Sequence, residues 1–215
     1  MNKMYKHIPQ KDIDSNKNYK EMCGAACLQM IFDAHGMVYK DQASIWSDIK
    51  TKRPSANAYY AKTCKVCEYL TKNGLCAEIV KIKQECEIEF LKMIEKEKVP
   101  TIILHALKDG RGHFIVFQSI NEQCIYIFMN NPLKHSGNTK EELKVFLPMW
   151  NQVGQEVTGN IAIITEQVKS NNSRICPECK NKIDEHSLVD TLCKQGIING
   201  IFCYHCDNLL NVEHC

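Results

Sequence analysis

Residues 20–32 read KEMCGAACLQMIF, a Cys-Gly pair opening a run of small residues that leads into an apolar helical pattern. Leu28, Ile31 and Phe32 recur at helical spacing and Gly36 offers a C-terminal stop, so the sequence predicts a helix over 23–35 with Cys23 in its first turn. The free N–H groups and macrodipole of a helix start favour negative charge, which predicts a lowered thiol pKa at Cys23. Gly24 leaves room for an approaching backbone, and Ala25 and Ala26 keep the turn uncluttered. Cys27, one turn deeper beside Leu28 and Ile31, reads as a small buried apolar residue.

Outward from that helix, the coarse order is helices and then strands. Residues 42–50 and 57–72 read as helices, 75–82 as a strand and 85–99 as an amphipathic helix stopped by Pro100. TIILHAL (101–107), HFIVFQSI (113–120) and CIYIFMN (124–130) are rich in β-branched and aromatic residues and read as strands, with NEQ as a hairpin turn between the last two. Residues 139–150 open with Thr-Lys-Glu-Glu, a capping-box pattern that predicts a helix with Thr139 as N-cap and Glu142 at N3. NIAIIT (160–165) reads as a closing strand. This order predicts an α+β fold, N-terminal helices packed on an antiparallel sheet.

The 215 residues suffice for one substantial core plus a small module. The chain changes character at EQVKSNNSRIC (166–176), which places a boundary near residue 170, between a domain over 1–168 and a cysteine-rich module over 175–215. A net charge of +2 argues against nucleic acid or an anionic membrane as partner. No apolar run approaches the roughly 18–20 residues of a membrane span. The first dozen residues lack the apolar core of a secretory signal. Thirteen cysteines, an odd number with CxxC spacing, favour metal over disulfides and a reducing compartment, most simply a cytoplasm. Delivery by a signal-independent secretion system is also compatible with a missing signal.

A cysteine nucleophile needs a base and a group that orients the base. GRGHFIVF supplies His113 at the start of an apolar strand, and the next strand, IYIFMNNP, ends in Asn131-Pro132. If the two strands form a hairpin, His113 and Asn131 are neighbours, the arrangement of a Cys-His-Asn triad. Taken singly, a cysteine in a CGAAC run is more often buried structure than nucleophile, a histidine at a strand start is usually a turn residue, and Asn-Pro is a common turn signal. Their order along the chain sets these three apart.

The series CGAAC…GRGHFIVF…IFMNNP…LPMW…NIAII resembles the C39-type peptidases, a branch of the papain-like cysteine proteases, over roughly residues 8–167. The resemblance implies a papain-like fold with Cys23 as nucleophile and His113 as general base. Asn131 stands where the family has an orienting aspartate. The family's oxyanion-hole glutamine precedes the nucleophile by about six residues, where this chain has Lys17. Gln10, after His7-Ile8-Pro9, resembles the family's Pro…Gln entry but lies further upstream, so the hole is formed by Gln10, by Asn16 or Asn18, or by backbone N–H groups alone. Met22 stands where members that trim double-glycine leaders often have Asp, and no transporter segment accompanies the domain.

RICPECK and FCYHCDN give Cys176-x2-Cys179 and Cys203-x2-Cys206, separated by 23 residues. Two such knuckles predict a zinc ribbon, one structural Zn2+ held by four thiolates in a closed site. About 40 residues bury too little surface alone, so metal would supply most of the folding energy. Cys193, Cys215, His186, His205 and His214 are unpaired alternates. Acidic residues offset the lysines here, favouring a protein contact over nucleic acid. A third pair, Cys64 and Cys67, lies in a helical pattern and reads as core packing.

These readings converge on a cysteine peptidase-like hydrolase acting on peptide or isopeptide bonds, its substrate a peptide or protein. Two alternatives stay open. One is a catalytically inactive papain-like domain that binds a protein partner through the ribbon; the other is a deamidase or acyltransferase using the same triad.

Overall fold

The computed structural model describes residues 6–10, 21–53, 58–134, 137–167 and 173–211. In chain order the elements are α1 (Cys23–Ala34), α2 (Gln42–Ile49), β1 (Lys50–Lys52), β2 (Tyr59–Ala61), α3 (Thr63–Lys72), β3 (Cys76–Ile82) and α4 (Glu87–Lys96). There follow β4 (Thr101–Ala106), β5 (Gly112–Ile120), β6 (Tyr126–Asn130), β7 (Thr139–Glu142), α5 (Leu143–Asn151) and β8 (Ile161–Glu166). The cysteine-rich segment adds β9 (Ser173–Ile175), β10 (Lys182–Asp184), α6 (Val189–Lys194), β11 (Ile198–Phe202) and β12 (Leu209–Asn211). Among the described residues no helix is long and apolar enough to cross a membrane.

One antiparallel sheet of eight strands, ordered β12-β11-β3-β8-β4-β5-β6-β7, organises the molecule. Strand alternation gives it two apolar faces. Ala77, Ile79, Leu104, Phe114, Val116 and Ile163 point toward α1, α2 and α3. Val80, Ile103, Ile115, Phe117, Ile127 and Ile164 point toward α4, α5 and α6. The fold is thus α+β, with the N-terminal helices packed on an antiparallel sheet.

The strand readings hold with small shifts at the ends. Gly36 stops α1 with a φ of 67°. Cys27, Cys64 and Cys67 are buried in the core, and the Cys67 thiol donates to the Ala77 carbonyl at 3.3 Å. Two expected helical segments differ. Residues 59–61 form β2, paired with β1, so helix α3 begins only at Thr63. Tyr59 and Tyr60 suit a strand surface, and their rings carry Lys50 and Arg53 at 5.5 and 5.9 Å. Thr139 caps no helix: Thr139–Glu142 pairs with β6, and α5 starts at Leu143. A capping box satisfies two donors locally, whereas pairing with β6 satisfies a ladder and sets Lys140 over the Tyr126 ring at 3.7 Å. The boundary expected near residue 170 lies outside the described residues. Beyond it, β11 pairs with β3 from Ile198↔Ile82 to Phe202↔Ile79, with a register shift between Ile198 and Gly200, so the cysteine-rich segment extends the main sheet.

Candidate active site and cysteine knuckles

His113 and Asn131 meet across the β5–β6 hairpin. The backbone N–H of Leu133 donates to Asn131 Oδ1 at 3.0 Å, which fixes that atom as the oxygen of the amide. His113 Nε2 lies 2.9 Å from the same oxygen and must donate to it. The proton therefore sits on Nε2, and the basic lone pair is on Nδ1. His113 is only 1% exposed. Burial, then the neighbouring His105, pushes its pKa down to about 3, so the ring rests neutral.

His105 was not singled out by its sequence pattern, since TIILHAL reads as a plain apolar strand. Register places it opposite His113, and the rings meet edge-on at 5.4 Å. Its Nδ1 donates to the Ala106 carbonyl at 2.9 Å, its ring leans on Phe146 at 5.5 Å, and burial holds its pKa down at about 4. The signal was available: a histidine in register with a candidate base across a hairpin shares its face.

Cys23 opens α1 as expected, but the predicted lowering of its pKa is reversed. The thiol is 5% exposed, and burial raises its pKa to about 11 against the opposing pull of the Phe114 and Gly24 N–H groups. Desolvation of the thiolate outweighs the helix start. The thiol meets β5 at Phe114, on the sheet face of α1. By alternation the His113 ring leaves the strand on the face of Ile115 and Phe146. Thus the structure joins His113 directly to Asn131 and brings Cys23 to the residue that follows His113.

A slot of about 20 Å3 remains beside the thiol, walled by Tyr60, Ala61, Leu104, Gly112, Phe114 and Glu156. The β1–β2 hairpin closes it. Gly24 suits this closure: a Cβ there would crowd Ala61 Cβ at 3.2 Å. Arg53 ties the hairpin down through Glu21 at 2.9 Å and Glu156 at 3.0 Å, and Glu156 also accepts the Gly112 N–H at 3.1 Å. Gln10 lies at the other end of the site, its N–H donating to the Pro132 carbonyl at 3.0 Å, next to Asn131. Asn16, Lys17 and Asn18 fall outside the described residues.

The four cysteines assemble as their spacing predicts. Cys176–Asn181 and Cys203–Asn208 are two copies of one turn. The first cysteine's N–H donates to the asparagine carbonyl, and its own carbonyl accepts from the residue after the second cysteine. That residue takes a positive φ in both, 61° at Lys180 and 63° at Asp207. The sulfurs of Cys176 and Cys206, and of Cys179 and Cys203, stand 3.7 Å apart, and all four lie within 4.8 Å of one another. Zn–S bonds of about 2.3 Å in a tetrahedron put sulfurs about 3.8 Å apart. The cluster can hold one metal ion. Among the alternates, His186 is buried with its Nδ1 accepting the Leu188 N–H, and His205 is engaged at the Lys182 carbonyl. His214 and Cys215 lie outside the described residues.

Residues 15–158, which include Cys23, His113 and Asn131, match the Peptidase C39 family. The chain belongs to that family. Two solved C39 structures share its fold. The peptidase domain of Streptococcus ComA, a bi-functional ABC transporter involved in a quorum sensing pathway, is 17% identical with a TM-score of 0.55. That match covers 75% of this chain and 98% of that one. A C39-like peptidase from Bacillus anthracis is 16% identical with a TM-score of 0.55, covering 75% and 94%. No curated protein matches the chain. Within this C39 domain, sequence reading also missed Arg53, Glu21 and Glu156. Their meeting depends on three segments far apart in the chain, and no local spacing announces it.

Proposed function

We propose that this C39 chain is a cysteine peptidase in which Cys23 attacks a peptide carbonyl and His113 handles the proton. The observation that carries the reading is the locked tautomer: Leu133 fixes Asn131, Asn131 fixes His113, and Nδ1 is left as the base. His113 Nδ1 takes the thiol proton as the sulfur bonds to the carbonyl carbon. The carbonyl oxygen becomes an oxyanion, held by Gln10 or by backbone N–H groups at the start of α1. Collapse breaks the C–N bond, and the imidazolium proton goes to the leaving amine. Water then attacks the thioester, giving its proton to Nδ1, and the sulfur leaves as the regenerated thiol.

Thiol and imidazole both rest neutral, because burial disfavours charge on each. Catalysis therefore requires the hairpin over Cys23 to lift. As closed, the slot of about 20 Å3 has room for about one water and admits no peptide. The closed slot is also what an inactive binding domain would present, so the test must read turnover. A proteome-derived peptide library should yield products that fall by at least about 1000-fold in Cys23→Ala and His113→Ala. Identical product lists from wild type and Cys23→Ala would overturn the proposal. Trapped amide hydrolysis of glutamine side chains in place of backbone cleavage would assign a deamidase.

We further infer that the four knuckle cysteines hold one structural Zn2+ in the module over 175–215. The twelve described cysteines form no disulfide with one another, which fits a reducing, cytoplasmic setting.

A further inference from the structure

His105 is a buried polar group that the reaction above leaves unused. Register sets it opposite His113, and the two rings meet edge-on at 5.4 Å. The Ala106 carbonyl can only accept, so the 2.9 Å bond to it puts the His105 proton on Nδ1 and the lone pair on Nε2. That Nε2 is buried and has no hydrogen-bond partner among the described residues. A stranded buried acceptor weakens a fold, so its presence asks for a use. The ring is also held firmly. Its Nδ1 is tied to its own strand, and Phe146 backs it at 5.5 Å and is itself backed by Trp150 at 5.9 Å.

The use lies in the charge that His113 acquires. When its Nδ1 takes the thiol proton, the sulfur is left as thiolate and the ring becomes an imidazolium almost sealed from water. Asn131 accepts from Nε2 but is neutral, and Arg111 opposes the new charge. Among the described residues no carboxylate acts on the ring. A charged His105 would oppose it too, but burial keeps that ring neutral, its pKa held down at about 4. We infer that His105 is a positioning residue for the reaction at Cys23: its neutral ring walls the His113 imidazole into place and lends an uncommitted lone pair to the positive charge that imidazole takes up. The inference rests on the peptidase reading above. Fixed dipoles in a dry site support a developing charge without having to reorganise. An anion in this place would hold the proton on His113 at rest and spoil it as a base, whereas a neutral acceptor supports the charge only while it lasts.

Iodoacetamide labelling of Cys23 tests this in the full chain without a known substrate, since it reports the thiolate formed when His113 takes the proton. Peptide mapping by mass spectrometry gives the rate at about pH 7 and at about pH 9.5. At the higher pH solvent base ionises the thiol unaided, and the ratio of the two rates cancels any change in how often the β1–β2 hairpin opens. His113→Ala should lower the ratio of neutral to alkaline rate by at least about tenfold. His105→Leu removes the acceptor at nearly constant volume and should lower it by about tenfold. His105→Gln keeps an acceptor and should stay within about threefold of wild type. A merely structural role would shift labelling at both pH values together and leave the ratio alone. A ratio unchanged in His105→Leu, or lowered equally in His105→Leu and His105→Gln, would overturn the role of His105 and leave the peptidase reading standing. A ratio that His113→Ala does not move would overturn both.

Discussion

Each cysteine knuckle is made by six consecutive residues, whereas the slot at Cys23 draws its walls from five separate segments between Glu21 and Glu156. In the knuckle, the spacing, the positive φ and the two backbone hydrogen bonds are all local, and the four sulfurs arrive at metal-ligand separation. At Cys23 the helix start is local too, yet what decides the thiol's state is the burial imposed by β5 and the β1–β2 hairpin. A motif whose chemistry is self-contained keeps its promise on folding. A motif whose chemistry depends on solvent does not, because the sequence around it does not say what will cover it.

The sharpest test of the self-contained half is to remove a ligand. Cys176→Ser should abolish stoichiometric zinc and lower the thermal midpoint by on the order of 10 °C, read by calorimetry with metal analysis. A variant with wild-type stability would mean that the turns hold without metal. Next in size is the orienting amide. Asn131→Ala deletes the hydrogen bond that fixes the His113 tautomer and should cost roughly 10- to 100-fold in kcat/KM. If the loss equals that of His113→Ala, Asn131 does more than orient.

A smaller effect probes the cover. Arg53→Ala releases two partly buried ion pairs and should speed iodoacetamide labelling of Cys23 by about tenfold at pH 8. An unchanged rate would place the barrier elsewhere than in the hairpin. The smallest is a pH slope. His105 and His113 have folded pKa values of about 4 and about 3, below their ordinary value near 6.5. The unfolded chain takes up these protons first, so their contribution is full above about pH 6.5 and is lost as pH falls toward 4 and then 3. Burial raises the Glu78 carboxyl to about 7, and its contribution runs the other way, full below about 4.5 and lost as pH rises through 7. Denaturant titrations between pH 5 and 6.5 should therefore show a shallower acid loss in His105→Gln and a steeper one in Glu78→Gln. Equal slopes in all three proteins would mean that these groups are solvated in the folded state.

Much of this was legible in the sequence because it is periodic or paired. Five strands of the sheet (β3, β4, β5, β6 and β8), Cys27 and Cys67 in the core, the meeting of His113 with Asn131 and the four-cysteine cluster follow from alternation, apolar spacing or fixed motif spacing. What escaped was decided by contacts between distant segments. Tyr59–Ala61 has a helical neighbour but pairs with Lys50–Lys52; Thr139–Glu142 carries a capping box but pairs with β6. Local preferences of a fraction of a kcal/mol to about 1 kcal/mol yield to a completed ladder. Arg53 looks like any surface arginine until Glu21 and Glu156 converge on it.

The pairing of β11 with β3 carries one more consequence, for solubility. Without its neighbour, Cys76–Ile82 would be an open edge, a flat and largely apolar row of unpaired N–H and C=O groups ready to recruit a strand from another molecule. The cysteine-rich segment covers that row and ends it in β12, three residues long, while the opposite margin is blunted by the charged Thr-Lys-Glu-Glu of β7. A chain whose four-cysteine cluster is broken, so that it lets go of β11, should then announce itself by self-association before any change in its chemistry could be measured.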